Sequence, residues 1–594
     1  MKKQQTESIP ESINRHLTWL LRVLVSISII LVLAVMPFYF QEGFTHIGSD
    51  KSYFYRVGTV RMSRLILPVF GLWLVCNAVN AFLKRPKGML REWAKTLSIT
   101  DWFALFYGLS AFLSYVCSQY KGKGFWDPDG TAFWGTRGWY MGFIPQLTLV
   151  VIYFLVSRFQ FKDMAKWLFR LSLPVSAAVF LLGYLNRFDI WPIPMANSGL
   201  PGFISTIGNI NWYCGYAVAI GFVGVGLLWL ERGENKWYTA LLCAYVFIFF
   251  ATLITQGSDS GVFALGVVFL VMFFSSVKDE DGQRMYRFWL LVMLLMGAGL
   301  ATMGLRLLLP GRMTFTSWVG DLLTYSLLPL LGMLPAGVGL LLGRQFCGKH
   351  GRLSDGKDSG QPGGRGGEQP DGKDSGQPGE ESRGGRPKIQ DMYWKAWRAA
   401  SKTLCIAILI TVVIFTTMIA VNTLHPGSLG ALSQKAVFTF NDKWGSSRGA
   451  SWSLGAECFW EQDLLHKLLG VGPDCMADFL YSESGGGKVA SEPLVAHARK
   501  AFVNKRLTNA HCELLTILVN LGILGLVSFA GLLFTAVGRF LRARGTNCYV
   551  AACGLCVLAY IANNVWSFQQ SMSLATIAVV LGMGEWFLRI SEKL

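Results

Sequence analysis

Charge is what this 594-residue sequence has least of. Asp, Glu, Lys and Arg make up 15% of it, against about 25% in an average soluble chain, and 52% of the residues are hydrophobic. That balance excludes an ordinary soluble domain. Zinc-framework chemistry is also missing: Cys553 and Cys556 form a C-x-x-C inside an apolar stretch, with no second pair. Most of the twelve Cys sit in such stretches and read as small buried side chains. The segment 422–510 has no D-x-D acidic pair, consistent with no metal, and no cofactor is expected. The net charge of +18 does not indicate nucleic acid, because the basic residues fall in short runs between apolar stretches.

What the chain does have is long apolar windows, and about 20 such residues cross a bilayer as a helix. About fourteen are found: 17–40, 64–83, 99–118, 139–156, 167–185, 211–230, 238–256, 259–277, 288–309, 320–343, 403–421, 511–537, 548–565 and 572–588. The first is too long for a cleaved signal peptide, and no small-residue cleavage site follows it. The 21 Trp, 41 Phe and 19 Tyr suit many membrane–water interfaces. Orientation follows from the short basic loops, which mark the cytoplasmic side. An N-terminus in the cytoplasm puts Lys84, Arg85, Arg158, Lys162, Arg232, Lys236, Lys278, Arg284, Arg539 and Arg542 on that side. Both termini of an even-numbered bundle are then cytoplasmic, and the protein is expected in the plasma (inner) membrane as a multi-pass protein.

Five regions result. Residues 1–343 form an N-terminal transmembrane bundle. A cytoplasmic linker, 344–402, holds DGKDSGQPG twice, at Asp355–Gly363 and Asp371–Gly379; so Gly-rich a segment cannot offset its chain entropy and is expected disordered. A transmembrane helix at 403–421 leads into an extracytoplasmic loop domain, 422–510. That loop has Trp444, Trp452, Phe459, Trp460, Leu464 and Leu468 to fold with, and its apolar spacing predicts a helix over 449–469. Residues 511–594 supply the C-terminal transmembrane helices. Cys458 and Cys475 bracket the predicted helix and the Gly-Pro turn after it, and an oxidising exterior would allow them to pair.

Chemistry is expected on the outer face, where four segments stand out. Arg137, flanked by Gly135 and Gly138 among aromatics, can offer a bidentate fork to a phosphate or snorkel at the interface. Asn209 and Asn211 open a span, and Asp259 and Ser260 form a tight turn; these can meet sugar hydroxyls, or simply cap their helices. Arg448 falls at the predicted helix start, where a cation opposes the helix dipole. Arg499, Lys500, Lys505 and Arg506 then cluster before the outer end of a span, against the positive-inside trend. Directly after them come His511 and Glu513, an ionisable pair at the mouth of an apolar helix.

This order of segments resembles the O-antigen ligase and O-antigen polymerase family. His511-x-Glu513-Leu-Leu followed by Val519-Asn-Leu-Gly-Ile-Leu-Gly-Leu526 looks like the family's signature. Gly208-Asn-Ile-Asn211 is similar to its G-N-x-N box, and Ser258–Gly261 to its S-x-S-G turn. Arg448 to Trp452, with Gly470-Val-Gly-Pro473, looks like its R-x-x-x-W…G-x-G-P segment; Trp134–Gly138 is similar to its early arginine loop. Cys512 stands where the family has Asn, and fourteen spans exceed its usual dozen.

The resemblance implies an all-α, GT-C-like integral membrane protein. It would be an inverting, metal-independent glycosyltransferase moving a glycan from a polyprenyl-pyrophosphate donor to a glycan, lipid or wall-polymer acceptor. Arg137, Arg448, Arg499 and Arg506 would hold the pyrophosphate, and His511 would act as base, with Glu513 as an alternative base or as the group orienting the imidazole. The rival readings are a lipid-glycan flippase, whose cations should line a mid-membrane cavity, and a peptidoglycan-type transglycosylase, for which Asp442, Asp463 and Asp474 are the acids to test. The spans read as nearly free of Lys and Arg away from their ends, which disfavours the flippase.

Overall fold

The computed structural model describes residues 9–41, 47–84, 94–124, 126–136, 138–195, 198–230, 235–278, 282–313, 317–347, 388–481, 490–543 and 547–592. Arg137 and the two repeats of the linker lie outside these residues. The regular elements of the described chain are all helices apart from a two-residue strand pair, Phe203–Ile204 with Gly208–Asn209.

Nineteen helices carry the architecture. In the first half these are α1 (Ile9–Ile30), α2 (Ile47–Lys84), α3 (Ile99–Cys117), α4 (Phe143–Val156), α5 (Ala165–Arg187), α6 (Ile210–Leu230), α7 (Lys236–Thr255), α8 (Asp259–Val277), α9 (Gln283–Leu308), α10 (Trp318–Tyr325) and α11 (Leu328–Cys347). Then follow α12 (Lys388–Leu424), α13 (Trp444–Glu461), α14 (Leu464–Leu469), α15 (Met476–Tyr481), α16 (Glu492–Ala501), α17 (Glu513–Arg542), α18 (Cys548–Asn564) and α19 (Ser571–Ser591).

Eleven of the described helices are long and apolar enough to cross a membrane. The other three expected spans are helical but differ in form. Helices α4 and α18 have 14 and 17 residues, rising about 21 and 26 Å, short of the ~30 Å hydrocarbon layer. The expected span 320–343 is the pair α10 and α11, bent by 71°; Ser326 Oγ accepts the Leu328 N–H at the break.

Burial sorts the helices. The apolar windows of α6 and α19 are each 94% buried, and α6 is apolar all round because it is enclosed all round. Its glycines allow this: a Cβ on Gly224 would strike Tyr245, and one on Gly226 would come within 2.7 Å of the Ala552 backbone. By contrast, the windows of α2 and α12 are 6% and 0% buried, so these two helices face the surroundings of the bundle.

Two boundaries differ from expectation. Helix α12 begins at Lys388, inside the expected linker, because 388–402 lacks Gly and Pro and carries apolar residues such as Ile389, Trp394 and Trp397; the Trp397 ring packs 5.6 Å from Trp289 and 5.8 Å from Phe273. Helix α2 extends back from the expected start at 64 to Ile47, so Arg56, Arg61 and Arg64 lie within a helix of the bundle. The reading that the spans are nearly free of internal cations therefore does not hold for α2.

One end of the bundle is clamped by buried charge. Asp101, its side chain fully buried, pairs with Arg158 at 3.0 Å and with Arg589, and accepts bonds from Tyr153 Oη at 2.7 Å and the Ser98 N–H at 2.7 Å. Glu585, equally buried, pairs with Arg539 and with Arg589 at 3.1 Å. Helices α3, α17 and α19 and the turn after α4 are thereby tied together.

Candidate functional site

The opposite end gathers the segments singled out in the sequence, and it is built on strained backbone. Eight described non-glycine residues have positive φ: Tyr140, Asp189, Ser205, Ser446, Ser447, Asp474, Asn504 and His511. Such residues cost on the order of 1–3 kcal/mol each and persist where the surroundings over-determine them. Six are in connections at this end, and Ser446 and Ser447 are in the kinked first turn of α13.

Arg448 is presented by one left-handed turn. Gly445, Ser446 and Ser447 all have φ near +60°, so regular helix begins at Arg448, beside the start expected at 449. Its Nε donates to Trp566 O at 3.0 Å and an Nη to Gly445 O at 2.9 Å. The rings of Trp444 and Trp452 pack on Trp566 at 5.7 and 5.1 Å. Burial lowers the arginine's affinity for its proton, while the nearby Asp259 carboxylate opposes this.

The helix expected over 449–469 is two helices. Helix α13 ends at Glu461, and α14 starts with Asp463 capping the His466 N–H at 2.9 Å. Gly470 then ends α14 at φ +78° and faces a break in α17 at Gly522, φ +68°. No side chain fits between them: a Cβ on Gly470 would lie 2.1 Å from Asn520 O, and one on Gly522 2.3 Å from the Leu468 backbone. Val471 and Gly472 donate their N–H groups to Val519 O and Asn520 O, both at 3.1 Å.

His511 sits just before α17 at φ +50°. Its N–H donates to Asn509 Oδ1 at 3.1 Å, so Asn509 supplies a local amide partner although Cys512 occupies the neighbouring position. The imidazole meets Phe568 edge-on, with centroids 5.0 Å apart. Burial, assisted by the charge of Arg448, pushes its pKa down to about 4, so the ring is neutral at physiological pH. Glu513 points elsewhere: it is 2% exposed and accepts the Gln569 N–H, with no described contact to the imidazole. It lines a small cavity with Asp474, Asn509, Asn520 and Gln569, about 30 Å³ in volume, room for one water.

Asn211 and Ser260 belong to one polar chain. Ser258 Oγ donates to Asn211 Oδ1 at 3.3 Å and lies 2.8 Å from Ser260 Oγ. Ser260 leads through Cys214 Sγ, 3.5 Å away, to Asn563 Oδ1, 3.3 Å from that sulfur. Asp259 is exposed beside this chain, within electrostatic reach of Arg448. Asn209 accepts the Asn211 N–H at 2.9 Å, a local cap. Arg499 and Arg506 are both exposed; Arg506 pairs with Asp478 at 3.8 Å and lies over Tyr481. Neither has a described contact with Arg448 or His511.

The acids named for the transglycosylase rival have other partners. His497 lies 3.1 Å from Asp442, and His466 lies 2.8 Å from Asp463. Asp474 Oδ2 accepts the Thr136 and Met141 N–H groups at 2.7 and 3.2 Å, and its burial pushes its pKa up to about 7. Cys458 and Cys475 are buried free thiols.

Sequence reading missed the connection between α18 and α19. Asn563-Asn564-Val565-Trp566-Ser567-Phe568-Gln569-Gln570 supplies the carbonyl that holds Arg448, the ring that packs on His511 and the N–H that holds Glu513. Asn564 Nδ2, Ser567 Oγ, Gln569 Nε2 and Gln570 Oε1 are buried without a hydrogen-bond partner. The available signal was a run of amides between two apolar helices, a costly composition at membrane depth. No three or more His, Cys, Asp or Glu among the described residues are grouped to hold a metal. No family model, curated protein or solved structure matches this chain.

Proposed function

We propose that this is a membrane glycosyltransferase of the O-antigen ligase and polymerase kind, transferring a glycan from a polyprenyl-pyrophosphate to an acceptor hydroxyl. The observation that carries the reading is the grouping of Arg448, His511 and Asp259 beside buried amides that each keep one atom without a hydrogen-bond partner, at one strained end of the bundle. On this reading that end faces outward, the basic loops and both termini are cytoplasmic, and the fourteen apolar segments all cross the plasma membrane in a GT-C-like arrangement.

The chemistry divides between two side chains. As the acceptor oxygen bonds to the anomeric carbon, the glycosyl–phosphate bond breaks and the electron pair leaves on the pyrophosphate. Arg448, held by two carbonyls, stabilises that negative charge without reorganising, with Arg137 as a second fork. The acceptor's proton passes to the neutral His511 imidazole, whose pKa the negative charge of a bound pyrophosphate raises toward the range in which a general base contributes about 100- to 10,000-fold. Buried amides of the 563–570 segment, with Asn211 and Ser260, meet sugar hydroxyls.

The test is product formation and donor affinity in purified variants, with and without EDTA. His511→Asn, which tolerates the left-handed backbone, is expected to bind donor and transfer at least about 100-fold more slowly. Arg448→Ala is expected to lose donor affinity as well, and Arg448→Lys to recover only part of it. Full activity in His511→Asn removes the base, and inhibition by EDTA indicates a metal-dependent enzyme instead.

A further inference from the structure

The segment between α12 and α17 carries an apolar edge that the bundle leaves uncovered. Trp460, near the end of α13, is 70% exposed, and in α14 Leu464 is 76% and Leu465 52% exposed, with Leu468 exposed beside them. The polar residues of this stretch have partners within it or on α17. Asp463 caps α14 and meets the His466 ring at 2.8 Å, and the Lys467 ammonium lies over the Trp460 ring, 5.4 Å from its centroid. Gln462 is buried and donates to Val519 O at 3.1 Å. One side of the segment is therefore fixed to α17, and the other presents leucines.

The level of α14 says what meets those leucines. Helix α3 has 19 residues, a rise of about 28 Å that matches the ~30 Å hydrocarbon layer. At one end of it Arg539 donates to Thr100 Oγ1 at 3.0 Å. Toward the other end, Ser114 Oγ donates to Asn520 O and Ser118 Oγ to Val471 O, both at 2.8 Å. The turn after α14, and the Gly522 break on which it packs, thus stand level with the last turn of α3, at the edge of the hydrocarbon. The lateral position agrees. A Cβ on Gly522 would meet the Leu468 backbone, and the residues that follow on α17, Ile523 and Leu524, are exposed, as is Val527 a turn later. On a helix long and apolar enough to cross the membrane, that stripe faces lipid, and Leu468 continues it.

We propose that α14 and Trp460 are seated in the bilayer, with Leu464, Leu465 and Leu468 in the hydrocarbon of the nearer leaflet. Lipid is the partner that the residues at this level fit: a Trp ring settles at the headgroup boundary, and a Lys stem lies along apolar surface while its ammonium reaches the polar side. A short helix with leucines on one side and Lys and His on the other has the composition of an interfacial segment. Its seat fixes the height of the 444–501 segments over the bundle end, with the Gly470–Gly522 contact as the point of attachment. The proposal does not rest on the transferase reading or on which end of the bundle faces outward.

The full-length protein is reconstituted in phosphatidylcholine–phosphatidylglycerol nanodiscs with a photoreactive diazirine analogue of leucine at one position. That position is 464, 465 or, as a control on α16, that of the exposed Lys500. After irradiation, adducts at each site are weighed by mass spectrometry. Because Leu464 and Leu465 are exposed, the analogue replaces either without repacking the fold. Positions 464 and 465 are expected to give adducts of phospholipid mass, and position 500 adducts of water. Leu464→Asp/Leu465→Asp, verified as folded by thermal unfolding, is expected to lose the phospholipid adducts read from the analogue at 468. Should that variant not fold, the single-site probes still decide. Equal yields of either adduct at 464, 465 and 500 overturn the proposal. Crosslinks from 464 and 465 to a second copy of the chain, in place of lipid, overturn the choice of partner.

Discussion

Replacing Arg448 should move the titration of His511, and this links the two residues without presupposing an activity. The imidazole pKa is held at about 4, first by burial and then by the guanidinium charge. Arg448→Gln removes the second cause and leaves the first. The pKa should therefore rise, by about one unit for a nearby charge, yet stay below the ordinary 6.5. At pH 5 a group of pKa 4 is about nine-tenths neutral, and one of pKa 5 about half neutral. Site-specific labelling of His511 and an NMR titration between pH 3 and 8 would read this directly. The acid limb of a transfer rate profile should shift in the same direction, whatever the loss in absolute rate. Arg448→Lys keeps the charge and should leave the limb near its wild-type place. An imidazole whose titration is the same in Arg448→Gln and wild type would refute the coupling, and with it the grouping on which the proposed chemistry rests.

Three other perturbations test the frame around the site. Asp101→Asn leaves Arg158 and Arg589 facing each other at the clamped end and should cost about 3–5 kcal/mol; an unchanged thermal unfolding midpoint in detergent would show that the clamp adds nothing. Asp474 has a folded pKa of about 7, above its ordinary 3.8, so the folded state binds the proton more tightly. Stability from this group is complete below pH ~4 and declines as pH rises to ~7; Asp474→Asn, whose single oxygen can accept both N–H groups, should flatten that decline in a pH series of unfolding midpoints. Gly522→Ala puts a Cβ into the Leu468 backbone and a non-glycine residue at φ +68°, so it should reduce stability by about 3 kcal/mol and displace the 468–472 turn, whereas Gly58→Ala should do neither.

What the sequence made legible follows one physical line. Hydropathy located the apolar segments, because a helix that buries its backbone bonds needs only composition and length. All fourteen windows fall in helices, although two are short and one is bent. The boundary of α2 was illegible for the same reason: Arg56, Arg61 and Arg64 lower a hydropathy window without breaking a helix. Within the site, His511, Arg448, Asp259 and the Asn211–Ser260 chain were reached through unusual residues at helix mouths. Long-range partners were not. Asp474 is held by N–H groups more than 330 positions away, and nothing local to Asp474 announces them. Gly522 reads as one more glycine in an apolar helix until Gly470 is seen opposite it. The 563–570 amides were visible as letters, but their meaning depends on Arg448, His511 and Glu513 arriving from elsewhere in the chain.

The two ends of the bundle solve opposite problems with the same residue types. At the clamped end each buried acid meets arginines at ion-pair distance, so charge is neutralised inside the fold and no external ion is needed. At the other end two carbonyls take two of the five N–H donors of Arg448 and leave its charge largely uncompensated, since Asp259 is exposed. His511 is kept neutral beside it, and Asp474 and Glu513 are buried with backbone N–H groups as their described partners. Stability alone gives no reason to hold a desolvated cation, a strained histidine and half-satisfied amides together. An incoming anion that carries hydroxyls would relieve the first and the last at once. That asymmetry, a closed electrostatic network at one end and an open one at the other, is the physical basis for proposing the ligand at the open end.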